Sequence, residues 1–486
     1  MSLSSALSIA QAALLNTSRQ TSVVSRNVSE ANNPDYSRRT AILSTSANGA
    51  QVVTTQRTTS DALFRQNLVA TSAAAGQSAL LSGLDTLNFD VNGIEYASSA
   101  ATMLGKFQEA MQIFSASPSN RSVAENAIDA AKSVVRSLNE GTNAIQAFRT
   151  SVDRQIDSAV GELNNLLADF KIANDQVMAG TRAGRDVNEQ LDQRDKLLKQ
   201  ISEYIPVNAI TRADNDLMLV SSTGQTLFEK IPREVTFDVT VGLQPGSTGN
   251  TIYVDGVPVI AGTGGNTTAG GKLAAFVQLR EDVASGMQAQ LDEIARGLIE
   301  AFRETDPNGV QPDAAGLFTW SGAPGLPPAG TLIDGLARDI SINAAFDTQQ
   351  GGDPAMLRDG GANGADYVHN TSGGTSYADL LLGYAARLDE PIVFDPAAGI
   401  TGTISVSTYS TESISWFSDI RQDASQAADS KNALMTRIQE ALSNETGVNI
   451  DEEMTLLLDL EHTYEASARL LKAVDDMLVA LLSAVN

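Results

Sequence analysis

Apolar residues recur three and four apart along most of this chain, and every second residue along one short stretch of it. The last segment, Asp451 to Asn486, contains no Gly or Pro and is filled with good helix formers, which predicts one continuous helix. At about 1.5 Å per residue it is about 50 Å long, more than a small core can cover. One apolar seam runs through Met454, Leu457, Tyr464, Ala468, Leu471, Leu478 and Leu482; a second runs through Leu456, Leu460, Leu470, Val474, Met477 and Leu481. Two seams on one helix call for neighbours on two sides. The chain supplies one neighbour from its other end, where Leu3, Leu7, Ala10, Leu14, Thr17, Thr21, Val24 and Val28 keep the same spacing. Between them the termini predict a paired coiled coil, partly unsatisfied until other subunits add to it.

The interior alternates helical and extended signals. Helical periodicity covers 60–87, 96–115 and 119–148, then Val152, Ile156, Ala159, Leu163, Leu166, Phe170, Ala173 and Val177 hold it over more than three heptads. It returns at 188–205, 272–302, 378–387 and 414–442. Pro34 closes the first helix, and 40–59 read as extended. Period two governs Glu234 to Val241, and Asp255-Gly256 between apolar triplets predicts a hairpin, with another at Ser222-Thr223-Gly224. Gly262-Thr263-Gly264-Gly265 reads as a turn. The expected fold is mainly α with inserted β: an elongated rod of long, coiled-coil-like helices formed by both chain ends, plus a small β-rich outer domain. Its parts are an axial helix and extended segment (1–59), a helical rod (60–205), the inserted β domain (206–269), the rod's return (270–304), a loop-rich segment (305–410), a further rod helix (411–446) and the C-terminal axial helix (447–486).

Composition narrows the chemistry. With 33 Lys+Arg against 58 Asp+Glu the formal charge is −25, which opposes nucleic-acid binding and suits a subunit kept apart before assembly. There is no cysteine, so disulfides and thiolate chemistry are excluded. No apolar run is long enough to span a bilayer, and the N-terminus lacks the basic flank of a secretory signal. His369 and His462 are far apart, without metal-ligand spacing. Asp306-Pro307-Asn308-Gly309 lacks the downstream Glu of a calcium loop. The run Asn188 to Leu198 reads as a charged, solvated helix face. No catalytic residue, cofactor or metal is expected, and composition alone points to the cytoplasm.

Three stretches change that last reading. A near-uncharged helix followed by Ala31-Asn32-Asn33-Pro34-Asp35-Tyr36-Ser37-Arg38 resembles the N-terminal signature of bacterial flagellar rod, hook and hook-associated proteins. Leu191-Asp192-Gln193-Arg194-Asp195 resembles an internal helix of the hook-associated protein 1 (FlgK) family, and so does the return at Gly270-Gly271-Lys272-Leu273. Val448-Asn449-Ile450-Asp451-Glu452-Glu453-Met454 resembles the C-terminal signature shared by hook and hook-associated proteins. Asp35 and Arg26 depart from the pattern, which usually has Gly and a neutral polar residue there. The resemblance implies a structural subunit of a homo-oligomeric ring between hook and filament, exported unfolded to the extracellular flagellum without a cleaved signal. Its implied partners are the hook protein, the second hook–filament junction protein and an export chaperone. The expected assembly interface is Leu3, Leu7, Ala10, Leu14, Val24, Val28, Asn33, Pro34, Tyr36, Met454, Leu457, Tyr464, Leu471, Leu478 and Leu482. Another axial subunit such as the hook protein, or a secreted surface adhesin, is the alternative.

Overall fold

The computed structural model describes the backbone of residues 3–46, 49–259 and 270–485 and the side chains of 5–44, 51–259 and 270–483. The side chain of Leu3 and the turn at Gly262–Gly265 lie outside them. Helix α1 (Leu3–Ser29) leads into a hairpin of β1 (Arg39–Ser46) and β2 (Gly49–Arg57), where the sequence predicted only extended chain. Four helices follow: α2 (Asp61–Asn92), α3 (Ala100–Ala116), α4 (Arg121–Arg182) and α5 (Asn188–Tyr204). Small antiparallel sheets then form from β3 (Val207–Thr211), β4 (Leu217–Ser221) and β5 (Thr226–Phe228), and from β6 (Val235–Thr236), β7 (Tyr253–Val254) and β8 (Val257–Pro258). The chain re-enters the rod through α6 (Gly271–Gln278), a π-helical turn at Leu279–Val283, and α7 (Ala284–Ala301).

Helix α4 is a single rod of 62 residues, about 90 Å long at 1.5 Å per residue. Its apolar stripe is interrupted at Arg149, which is buried rather than a break. The Arg149 guanidinium donates to the carbonyls of Arg280 (3.2 Å) and Gln244 (3.0 Å). The π turn sets Arg280 beside Asp153 of α4, and Arg280 also donates to the Asn250 carbonyl at 2.7 Å. Asp153 in turn accepts the backbone N–H of Thr240 at 2.6 Å. These side-chain anchors explain why the alternating run Glu234–Val241 makes a strand only at Val235–Thr236: beyond it the backbone is held by Asp153 and Asn250 instead of a ladder. Both central residues of the Asp255-Gly256 turn have positive φ (52° and 76°), as the sequence predicts.

Residues 305–405 carry the short helices α8 (Leu336–Asp339), α9 (Met356–Asp359) and α10 (Asp379–Asp389) and the strand pairs β9 (Phe318–Thr319) with β10 (Ser341–Ile342) and β11 (Ile392–Val393) with β12 (Thr403–Ile404). Buried carboxylates order this loop-rich segment by accepting backbone N–H groups. Glu304 takes those of Gly361, Ala362 and Asn363, and Asp292 those of Gly335 and Ala337. Asp306 is likewise filled, by Asn308, Val310 and Gln311. Two long helices close the chain: α11 (Val406–Thr446), which starts earlier than its periodicity suggests, and α12 (Ile450–Val485). Ala70 and Ala74 of α2 and Ala424, Ala427 and Ala428 of α11 are buried, and their small side chains let these two helices pack side by side.

One apolar interior runs through the rod from Leu68 to Ala424. It includes Leu219, Phe228, Val235 and Val254 of the inserted strands, with Phe228 edge-on to Phe170 of α4 at 5.1 Å. The inserted segment therefore shares the rod's core. Among the described residues no side chain of α1, β1, β2 or α12 belongs to that interior.

Candidate assembly site at the paired termini

Helix α12 packs along α1. Fully buried between them are Ala10 and Val24 from α1 and Leu460 and Val474 from α12; Leu7, Leu14, Val28, Leu457, Leu471 and Leu478 are half-buried. The inward set Leu457, Leu460, Ser467, Leu471, Val474, Leu478 follows a heptad that takes members from both seams read in the sequence. Met454, Tyr464 and Leu482 are exposed instead, and so are Leu456, Leu458, Leu470, Met477, Val479 and Leu481. A row of apolar side chains along α12 is thus left facing outward.

The base of the pair is tied by polar groups. Tyr36 is buried by the turn that Pro34 opens, while Asn33 and Pro34 themselves are exposed. Its hydroxyl donates to Asn27 Oδ1 at 2.8 Å, and the same oxygen accepts the Arg39 backbone N–H at 3.0 Å. Asn27 Nδ2 donates to the Arg39 carbonyl (2.9 Å) and to Glu453 Oε2 (3.0 Å). The other Glu453 oxygen accepts from Arg38 Nε at 2.7 Å, and Glu452 adds a second carboxylate to Arg38 at 3.3 Å. Glu453 is 1 % exposed, so both its oxygens are satisfied within the protein. The N-terminal turn and the C-terminal Asp-Glu-Glu-Met start, 415 residues apart at Arg38 and Glu453, close into one knot. Burial raises the Tyr36 phenol above its ordinary pKa, against the pull of the nearby Arg39 and Arg26, and so keeps it a neutral donor.

Helix α5 holds the other side of this base. Asp192 gives one oxygen to Arg39 and the other to Arg57, each at 3.1 Å, and Arg57 reaches Asp195 at 2.7 Å. Asp192 is only 9 % and Arg194 5 % exposed, which overturns the reading of this run as a solvated face. Burial raises the Asp192 carboxyl despite Arg57 and Arg39, and burial lowers Arg194 to about 10. The two departures from the signature are matched by charge. Asp35 pairs with Lys199 at 3.1 Å, and Arg26 with Glu189 at 3.2 Å. Asp35 does not take a positive φ, so it replaces Gly through ion pairing and not through a left-handed turn.

Sequence periodicity passed over Asn27, Arg39, Arg57 and Asp192 because they are polar residues in buried positions. One signal was present: Thr40 to Gln56 is uncharged and flanked by Arg39 and Arg57, which marks both ends of the hairpin root. Among the described residues no group of three or more His, Asp or Glu side chains is placed to hold a metal ion, and no helix is long and apolar enough to cross a membrane. His462 is exposed on α12, and His369 Nε2 lies 3.0 Å from the Thr305 carbonyl.

Comparison with known proteins converges on one family. Residues 94–318 match the model of the flagellar hook-associated protein FlgK helical domain, and 439–484 match that of the flagellar basal body rod FlgEFG protein C-terminal region. The flagellar hook-associated protein 1 of Bacillus subtilis (strain 168) is 20 % identical over 401 residues, covering 78 % of this chain and 74 % of that protein. Its counterpart in Salmonella typhimurium is 24 % identical over 326 residues, or 64 % of this chain and 56 % of the relative's length. The fold is similar to the structure of the flagellar hook junction protein FlgK from Burkholderia pseudomallei, with a TM-score of 0.58 and 13 % identity over 78 % of this chain and 99 % of that one. The rod matches the FlgK helical-domain model, the start of α12 lies in a stretch shared with flagellar rod proteins, and the relatives and the solved structure are hook-associated protein 1 or FlgK; together these support a FlgK-family protein, a structural component of the flagellum.

Proposed function

We propose that this chain is a subunit of the junction between hook and filament, seated there by packing α1 and α12 against other copies and against neighbouring axial proteins. The observation that carries the reading is the outward apolar face of α12. Leu456, Leu458, Leu470, Met477, Val479 and Leu481 stand exposed on a helix whose opposite face is already paired. A run of that length on a chain of charge −25 has no role in keeping the monomer soluble, and it suits a surface covered on assembly. A closed ring of copies, partners in the hook and in the second junction protein, handling by an export chaperone and an extracellular position all follow from the same reading. Of the expected interface residues, Leu7, Ala10, Leu14, Val24 and Val28 on α1 hold it to α12, and α12 thereby presents that face.

The test separates assembly from folding. Leu470 is 49 % exposed and Leu163, on α4, is 0 % exposed. Leu470→Asp places a charge in the assembled interface and leaves the melting of the purified monomer unchanged, whereas Leu163→Asp lowers it directly. In a strain whose only copy is Leu470→Asp, subunit is exported and filaments are missing from the hook tips by electron microscopy. Normal filaments in that strain would remove the reading.

A further inference from the structure

Nine of the ten methionines lie among the described residues. Met111 and Met287 are sealed in the rod at 2 % and 4 % exposure, and Met103, Met178, Met218, Met356 and Met435 are half-buried. Two stand open, and both are on α12: Met454 at 43 % and Met477 at 51 %. Their openness does not depend on how firmly α1 holds α12, because a helix that leaves its partner exposes them further. Helix spacing sets what surrounds each thioether. Met477 has Ala473, Val474, Ala480 and Leu481 one turn away, and Met454 has Ile450, Asp451, Leu457 and Leu458. None of these side chains donates a hydrogen bond at neutral pH. Met477 also stands in one row with Leu456 and Leu470, at heptad spacing, on the outward side of α12.

We propose that Met454 and Met477 are the chain's oxidation sites, and that a sulfoxide at Met477 keeps α12 from seating in the assembly; the second half rests on the reading that the outward row is covered there. The oxidant is a peroxide. A lone pair on Sδ attacks one peroxide oxygen, the O–O bond breaks, that oxygen stays on sulfur as the sulfoxide, and the other takes up a proton and leaves as water. Sulfur gives up two electrons and the peroxide gains them. The product is polar and chiral, with an oxygen that needs a donor. On the free chain water supplies it. The residues around Met477 supply none, so covering the row strips the oxygen of its hydrogen bonds in every copy that assembles. Met suits the position for the reason that it is vulnerable there: a flexible thioether adapts to unlike neighbours where a branched side chain does not. Once the row is covered the sulfur is out of the oxidant's reach, so the modification acts on subunits that have not yet assembled.

The chain has no cysteine, so brief hydrogen peroxide treatment of the full chain reports on methionine without competition from thiols. Peptide mass spectrometry then shows Met454 and Met477 turning to sulfoxide about tenfold faster than Met111 and Met287, as their exposure requires. Equal rates overturn the assignment. The second half is read by sedimenting the treated chain with hooks isolated from a strain that lacks this subunit. Oxidation lowers the amount bound about tenfold, and the two sulfoxide reductases, one for each epimer, restore it. Treated and untreated samples of Met477→Leu bind alike. Undiminished binding by the oxidised parent chain overturns the proposal, and so does an equal loss in treated Met477→Leu, which places the damage elsewhere. Untreated Leu470→Asp separates the proposal from the reading beneath it. Where Leu470→Asp fails to bind and the oxidised chain binds, the role of Met477 alone falls; where Leu470→Asp binds normally, the covered row itself falls.

Discussion

Glu453→Ala tests whether the polar knot, and not apolar packing, fixes the terminal pair. The substitution removes two charge-assisted bonds, to Arg38 Nε at 2.7 Å and Asn27 Nδ2 at 3.0 Å, from a carboxylate that is 1 % exposed. At about 1.5 kcal/mol net for each, the lower end for bonds to a charged group, the loss is about 3 kcal/mol. Arg38 keeps Glu452 and Asn27 Nδ2 keeps the Arg39 carbonyl, so neither partner is stranded and no larger figure is warranted. The loss falls on local opening, because among the described residues the apolar side chains fully buried in the α1–α12 contact are just Ala10, Val24, Leu460 and Val474. About 3 kcal/mol corresponds to roughly a hundredfold change in an opening equilibrium. Hydrogen exchange read by mass spectrometry should accelerate by that factor in peptides covering 450–460 and 22–30, with α4 unchanged. Glu453→Gln should fall between, since an amide keeps one acceptor and turns an NH₂ toward a donor. Exchange at 450–460 within about threefold of the parent protein in Glu453→Ala would refute the reasoning. So would an equal acceleration in α4, which would make the knot part of global stability.

Two further outcomes follow from buried charges in the rod. Burial raises Asp292 to about 7, against the N–H groups of Ala337 and Gly335 and the amide of Gln288 that favour its ionised form. Because the folded value lies above the unfolded one, near 3.9, its contribution is fully present below about pH 4 and is lost as pH rises through 7. The melting temperature of Asp292→Asn should therefore gain on that of the parent protein between pH 5 and pH 8, and parallel curves would exclude the effect. Arg280→Met leaves the buried Asp153 without its cation and should cost about 3–5 kcal/mol in urea unfolding, with new protease cleavage in 237–250. Adding Asp153→Leu should recover much of that loss, and a double variant as unstable as the two losses summed would show that the pair does not act as a unit.

Periodicity located the long helices because each buries a continuous stripe, and Asp255-Gly256 announced its hairpin because only that turn chemistry fits two positive φ values. It failed where polar side chains do the holding. Arg149 looks like the end of a coiled coil and is a buried anchor in the middle of α4. Glu234 to Val241 has the alternation of a strand, but a ladder needs a partner, and Asp153 and Asn250 occupy its backbone instead. The two seams on α12 were both visible, yet which members of each α1 covers depends on where Asn27 and Glu453 meet. That contact fixes the rotation of one helix against the other and leaves the face with Leu470 and Met477 outward. No pattern within either helix encodes it.

The two departures from the flagellar signature carry the argument furthest. Read alone, Asp35 in place of Gly and Arg26 in place of a neutral residue weaken the resemblance. In space each faces an opposite charge on α5, Lys199 for Asp35 and Glu189 for Arg26. Both pairs are partly exposed and individually contribute little to stability. What they can set is how the turn after α1 is seated on α5, since they lie beside Asp192 and its two arginines, where among the described residues no side chain of α1, β1 or β2 joins the apolar core. Changes at these partly exposed pairs therefore cost little stability, whereas a change at Asp192 takes a carboxylate from Arg39 and Arg57 together. Exchanging the charges of one pair, Asp35→Lys with Lys199→Asp, should therefore preserve the fold and the distance between spin labels on Ser18→Cys and Ser158→Cys. Asp35→Lys alone, which sets a cation against Lys196 and Lys199, should shift that distance with little change in melting.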